Sequence, residues 1–140
     1  MAHAGQVIEG PDGFRLRLIQ TGAETDGELL EMEATYGGTR DLPPAHLHPE
    51  QVEEFEVLDG TMRTIIDGVE RRYEAGERFQ VPAGTVHQMT GDGPALTRWE
   101  VRPALRTAEF FERLFGALSG QPGAEGENIL EEFRREIRFP

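Results

Sequence analysis

The chain has 140 residues and a mass of 15.6 kDa, enough for one domain with a single hydrophobic core. Its formal net charge of −12 opposes binding to nucleic-acid phosphates and to anionic lipid. The absence of cysteine and lysine excludes disulfides, thiolate nucleophiles, Schiff bases and a P-loop lysine. Residues 1–10 lack the pattern of a signal peptide, and no apolar run is long enough to span a membrane. We therefore expect a cytoplasmic protein.

Residues 14–101 alternate apolar and polar side chains between closely spaced turns, which is typical of antiparallel strands in a sandwich or barrel. The predicted strands cover residues 14–18, 30–36, 55–58, 78–81, 86–90 and 96–101. Asp59-Gly60 and Asp67-Gly68 indicate hairpin turns, because both residue types tolerate positive φ.

After Pro103 the apolar spacing becomes helical. Thr107 is a predicted N-cap, and one helix face then carries Phe110, Phe111, Leu114, Phe115 and Leu118. A Gly/Pro-rich link at 120–127 leads to a second predicted helix with a capping box at Asn128 and Glu131. Its predicted apolar stripe is Leu130, Phe133 and Ile137. We expect these helices to cover a barrel end or a sheet edge; a dimer interface and a mobile lid are the alternatives.

Two histidines and a glutamate follow one another closely in the sequence. His46 and His48 are one residue apart, so on a strand their side chains point to the same face and can share one ion. Glu53 has the opposite parity and joins them only if the chain bends, for which Pro49 is suited. Its parity matches the apolar face of its strand, where an unpaired carboxylate costs several kcal/mol. We expect a divalent cation as its partner; a salt bridge with an arginine is the alternative.

The sequence around these side chains resembles the two motifs of the cupin superfamily. The first motif runs G-x5-H-x-H-x4-E-x6-G and the second G-x5-P-x-G-x2-H-x3-N. The matching positions are His46, His48, Glu53, Gly60, Gly76, Pro82, Gly84 and His87. Arg40 replaces the leading glycine and Gly91 the closing asparagine, and neither position supplies a ligand in the family.

The resemblance implies an all-β fold, a double-stranded β-helix or jelly-roll barrel. The barrel core would cover about residues 14–102 and a helical tail about 106–138, in a single domain of residues 1–140. The tail is similar to that of small bacterial cupins. The resemblance also implies that one divalent metal ion is bound inside the barrel by His46, His48, Glu53 and His87. Iron, manganese, nickel, cobalt, zinc and copper all suit three imidazoles and one carboxylate.

An octahedral ion with four protein ligands keeps two positions for a small molecule that binds through oxygen. The resemblance therefore implies a metal-dependent enzyme acting on a small organic molecule, by dioxygenation first and by isomerisation or polyketide cyclisation next. Glu53 would also serve as a catalytic base. The alternative is a non-catalytic module that binds a metal or a metabolite. We expect a homodimer, since open sheet edges and an apolar helix need covering, and neither a nucleic-acid nor a membrane partner.

Five further side chains have the residue types found in pockets. Aromatic and methionine side chains on strands usually fill a core, and strand arginine or glutamine usually faces water. We therefore interpret these five as core or surface residues rather than as the lining of a site: Tyr36, Arg63, Gln80, Met89 and Trp99.

Overall fold

The computed structural model describes residues 2–38, 41–118 and 129–140. Within these ranges nine strands form two antiparallel sheets. The strands are β1 (Val7–Glu9), β2 (Arg15–Gln20), β3 (Leu30–Tyr36), β4 (Val52–Asp59), β5 (Thr61–Ile66), β6 (Val69–Glu74), β7 (Arg78–Val81), β8 (His87–Gly91) and β9 (Ala95–Arg102). The larger sheet has the order β1-β2-β3-β9-β4-β7, and the smaller one the order β6-β5-β8. The expected all-β fold with a C-terminal helical tail is confirmed.

The alternation in the sequence explains why the strands form. Leu16 and Leu18 of β2 are fully buried, as are Met32 and Ala34 of the neighbouring strand β3. Arg17, between Leu16 and Leu18, is exposed. Burial of these alternating faces places the core between the two sheets. All six predicted strands are present, with bounds that differ by a few residues at most. Three strands were not predicted: β1, whose three residues are too few to show alternation, and β5 and β6, of which only the flanking hairpin turns were predicted.

The turn between β5 and β6 follows the predicted chemistry. Asp67 and Gly68 both have positive φ, 51° and 78°, as the two central residues of a type I′ turn require. The turn aligns Ile66 with Val69 across the hairpin. This hairpin supplies two of the three strands of the smaller sheet.

The helices are α1 (Gly22–Thr25), α2 (Thr107–Leu118) and α3 (Ile129–Glu132). The predicted N-cap at Thr107 is wrong: this residue begins α2, and its buried hydroxyl exchanges hydrogen bonds with the Gln51 side chain. The second predicted helix is shorter than expected, and its predicted stripe is wrong at Leu130 and confirmed at Phe133 and Ile137. Leu130 is exposed, and the buried apolar side chains are Ile129, Phe133 and Ile137.

The capping-box residue Asn128 and the link at 120–127 lie outside the described residues. The expectation that the first helix covers the barrel is confirmed, since Phe111 and Phe115 of α2 pack against the core between the sheets. Within the described ranges, no helix combines the length and the apolar character needed to cross a bilayer.

Candidate metal centre

The predicted ligands come together where the segment before β4 pairs with the start of β8. His46 forms an isolated antiparallel bridge with His87, with backbone N–H···O distances of 3.1 and 2.8 Å. A turn at Pro49 and Glu50 then redirects the chain into β4. Glu53 lies on the inward face of β4 and is 1% exposed. The turn gives the bend that the parity argument required between the histidines and Glu53.

The side chains of the four predicted ligands face one another. One ring nitrogen of each of the three histidines lies within 4.8 Å of those of the other two. The Oε1 atom of Glu53 is 3.1 Å from Nε2 of His48 and 3.1 Å from Nε2 of His87. The three imidazoles therefore form a cluster consistent with a single metal site, with Glu53 at its edge.

Backbone carbonyl groups fix the orientation of all three imidazole rings. The Nδ1 atom of His46 is 3.1 Å from the oxygen of Pro44, that of His87 is 2.9 Å from the oxygen of Thr85, and that of His48 is 2.7 Å from the oxygen of Glu136. A carbonyl oxygen can only accept a hydrogen bond, so each Nδ1 carries the proton. In the neutral ring, Nε2 then presents a lone pair to the cluster, as metal ligation requires.

The Glu53 carboxylate is held from its other side. The indole Nε1–H of Trp99 on β9 donates to Oε2 of Glu53 at 2.8 Å, between two buried side chains. The pairing of Phe55 with Trp99 in the β4–β9 register brings the indole within reach. This contact fixes the rotation of the carboxylate and leaves Oε1 directed at the histidines.

The cluster contains more acceptors than donors. His48 Nε2 and Glu53 Oε1 are buried, and neither has a hydrogen-bond partner of suitable geometry among the described residues. Two acceptors at 3.1 Å repel each other unless a cation or a proton lies between them. Unsatisfied buried polar atoms are rare in folded proteins, so this pair fits an ion.

The pKa shifts of the clustered side chains also indicate that the cluster attracts positive charge. Burial opposes the charged forms of both Glu53 and His48. Their mutual attraction outweighs it: contacts with His48 and His87 lower the pKa of Glu53, and the Glu53 carboxylate raises the pKa of His48. His46 differs, since burial and the neighbouring His87 lower its pKa to about 4. The cluster therefore favours a neutral His46 and a carboxylate at Glu53.

The cluster opens onto an apolar cavity of about 330 Å³, lined also by Glu53, His46 and His87. Its aromatic wall is formed mainly by Phe14, Tyr36, Phe55, Trp99, Phe111 and Phe115. Trp99 contacts Phe111 edge-on at a centroid distance of 5.3 Å, and Phe111 stacks on Phe115 at 5.9 Å. Among the described lining residues there is no arginine. This size is at the lower end of the range for small-molecule pockets.

Three of the five side chains interpreted as core or surface residues line this cavity: Tyr36, Met89 and Trp99. Tyr36 and Trp99 do belong to the buried core and Met89 packs against it, so the interpretation is corrected only in that all three also line the cavity. Gln80 is exposed on β7 as expected, and Arg63 lines a neighbouring polar cleft.

The structure describes one of the two positions at which the sequence departs from the family motifs. A Cβ atom at Gly91 would lie 2.9 Å from the Cβ atom of Tyr36 and 2.7 Å from the oxygen of Gly93. The cavity-lining Tyr36 therefore occupies the space that a side chain at residue 91 would need. Arg40 lies outside the described residues.

Residues 32–99 match the family model of the cupin domain, Cupin_2. Quercetin 2,3-dioxygenase of Bacillus subtilis is 31% identical to this chain over 75 residues, which are 54% of this chain and 22% of that enzyme. The chain thus spans about a fifth of the length of this relative.

Two solved structures illustrate the likeness in fold. An RmlC-like cupin from Shewanella frigidimarina has a TM-score of 0.63 at 18% identity, over 74% of this chain and 87% of that one. The oxalate decarboxylase of Lactobacillus farciminis, in its formate complex, has a TM-score of 0.58 at 14% identity, over 71% of this chain and 31% of that one. At these identities the likeness shows the fold alone.

Proposed function

We propose that this chain, whose residues 32–99 match the cupin domain, is a metal-dependent enzyme acting on a small organic molecule. The observation that carries the proposal is the buried group of facing acceptors, His48 Nε2 and Glu53 Oε1, beside an apolar cavity. One divalent ion would be held by His46, His48, Glu53 and His87. Bound there, it would supply a Lewis acid that stabilises negative charge on a substrate oxygen.

The cavity supports a mainly apolar substrate with an oxygen-bearing edge. Aromatic side chains such as Phe14, Phe111 and Phe115 can pack against a flat apolar body. Three neutral imidazoles, one carboxylate and a divalent ion carry a net charge of about +1, which a singly charged oxygen donor neutralises. The substrate class that fits is therefore an enol, a phenol or a related molecule that binds as a monoanion.

Dioxygenation is the reaction type we propose first. Its support is the distant relationship to an enzyme named quercetin 2,3-dioxygenase. Isomerisation and polyketide cyclisation need the same stabilisation of an enolate and remain the next candidates. Within this chain, Trp99 would fix the Glu53 carboxylate, and the aromatic wall would exclude water from the reacting oxygen.

The predicted second role of Glu53, as a catalytic base, receives less support than its role as a ligand. A base works best when its pKa is near the pH of the reaction. Contacts with His48 and His87 hold the pKa of Glu53 below its ordinary value despite its burial, which favours the charged, metal-binding form. A base role for Glu53 remains a prediction.

The first experiment is elemental analysis of the untagged protein as purified, followed by oxygen-uptake assays with enols, catechols and flavonols. We expect about one metal equivalent per chain, and loss of both metal and turnover in His87→Ala and Glu53→Ala with the barrel still folded. Full turnover by either variant would contradict the proposal. Binding of a compound that is recovered unchanged would favour the alternative, a non-catalytic module.

A further inference from the structure

The carbonyl groups that orient the three histidines of the cluster lie at very different separations along the sequence. His46 and His87 use carbonyl groups two residues away in their own loops, those of Pro44 and Thr85. His48 instead uses the carbonyl of Glu136, which is 88 residues away in the sequence, at 2.7 Å and in a buried position. The orientation of His48 therefore depends on whether the C-terminal segment, residues 129–140, is docked on the barrel.

Docking of the C-terminal segment has its own set of contacts close to His48. The backbones of Leu47 and Arg138 exchange two hydrogen bonds, at 2.8 and 2.9 Å. The Glu136 side chain, itself 4% exposed, accepts a hydrogen bond from the backbone N–H of Arg106 at 3.2 Å. The C-terminal segment is thus bonded both to the segment before β4, which carries His48, and to the chain just before α2.

An apolar cluster completes the docking of the C-terminal segment. Phe133 is fully buried, and its cluster includes Phe110 of α2 together with Ile129 and Ile137. The Arg106 guanidinium lies over the Phe133 ring, 4.6 Å from its centroid. Phe133 is not among the residues that line the cavity. A substitution at Phe133 therefore removes no proposed ligand and no cavity-lining side chain, although its neighbours Phe110 and Ile137 line the cavity.

We propose that the C-terminal segment is a positioning element of the metal centre, so that its docking and metal binding strengthen each other. This inference rests on the proposed function, since it presupposes that His48 is a ligand. The docked Glu136 carbonyl keeps the proton on Nδ1 of His48 and keeps Nε2 directed at Glu53. When the segment undocks, His48 is free to rotate and to carry its proton on Nε2, where it blocks ligation. By linkage, the ion must favour the docked state by the same factor.

The test is titration of the full-length, metal-free protein with Co²⁺, read from the visible absorption of the bound ion. Phe133→Ala weakens docking, and we expect its Kd to rise about 10- to 100-fold, the usual effect of losing a group that orients a ligand. Glu136→Ala, which removes the Arg106 contact but keeps the carbonyl group, is a milder second variant with a smaller rise in Kd. An unchanged Kd in both folded variants would overturn the inference.

Two matched controls separate positioning from general loss of stability. Leu16→Ala removes a fully buried side chain from the barrel core, away from the C-terminal segment, and should lower the Tm while keeping the Co²⁺ Kd. Glu131→Gln changes an exposed residue within the segment and should alter neither property. A rise in Kd for Leu16→Ala equal to that for Phe133→Ala would show that stability alone sets the affinity and would refute the inference.

The reciprocal experiment uses the unmodified chain. We expect Co²⁺ to slow amide hydrogen exchange in the peptide of residues 129–140, including the Arg138 amide that bonds to Leu47. Unchanged exchange on Co²⁺ binding would refute the coupling and leave the proposed function intact. Failure of the wild-type chain to bind Co²⁺ would instead overturn the proposed metal centre, and the inference with it.

Discussion

The hydrogen bond from Trp99 to Glu53 gives the most direct test of how the site is built. Trp99→Phe keeps an aromatic ring on β9 but removes the Nε1–H that donates to Oε2 of Glu53 at 2.8 Å. A hydrogen bond to a charged group contributes about 1.5–3 kcal/mol, and Glu53 is fully buried, so water cannot replace the donor. We expect the metal-free variant to be less stable by about 2 kcal/mol, a fall in Tm of about 6 °C.

The same substitution should weaken metal binding. Without the indole the carboxylate can rotate, and loss of such an orienting contact typically costs 10- to 100-fold in affinity. Circular dichroism gives the melting curve, because Trp99 is the single tryptophan and the variant loses that fluorescence signal. Titration with Co²⁺ gives the Kd.

Phe111→Leu is the matched control for Trp99→Phe. Phe111 contacts the Trp99 ring and lines the same cavity, but it does not belong to the Glu53 contacts. The Phe111→Leu substitution should lower the Tm and leave the Co²⁺ affinity close to that of the wild type. If both variants weaken Co²⁺ binding equally, packing of the cavity rather than the hydrogen bond holds Glu53, and the reasoning is wrong.

Four further outcomes are expected. Glu53→Gln should weaken Co²⁺ binding about 100-fold or more and should also lower the metal-free Tm, because the attraction between the Glu53 carboxylate and His48 is lost; an unchanged or higher metal-free Tm would contradict this. The pKa of His46 is about 4 when folded and about 6.5 when unfolded, so the unfolded chain binds more protons between these values. Metal-free stability should rise by up to about 3 kcal/mol from pH 4 to 6.5 in urea titrations, and less in His46→Gln. Zn²⁺ at about 100 times its Kd should add about 2.7 kcal/mol, seen as a higher Tm that EDTA reverses. Light scattering should give the mass of a homodimer, and a monomeric mass would remove that expectation.

The strands could be predicted from the sequence because their signal is local. Alternation over residues 30–36 and the turn at Asp67 and Gly68 both depend on neighbouring residues, and both were predicted correctly. The last helix shows where this signal becomes ambiguous. Ile129 and Leu130 are adjacent and both apolar, and each has helical spacing to Phe133. Only packing against α2 decides which one is buried, and it buries Ile129.

The candidate site was also predicted only in part. The spacing of His46, His48 and Glu53 led to their prediction as ligands, and the resemblance to the cupin motifs added His87. The groups that orient them were not found. Trp99 reaches Glu53 only through the register of β4 with β9, and the Glu136 carbonyl reaches His48 only when the C-terminal segment is docked. Such contacts depend on three-dimensional pairing, and a backbone carbonyl leaves no mark on residue type.

The charge of the site leads to a prediction about ligand choice that the fold alone does not make. The cavity has no arginine among its described lining residues, and the proposed ion with its ligands carries a net charge of about +1. A flavonol bound as a monoanion would neutralise the site and place its rings against Phe111 and Phe115. Oxalate, a dianion, would leave about one uncompensated negative charge in an apolar cavity, at a cost of several kcal/mol. We therefore expect the flavonol to perturb the absorption of the Co²⁺-loaded protein at lower concentration than oxalate does. Tighter binding of oxalate would show that the charge argument is wrong, even though an oxalate decarboxylase shares the fold.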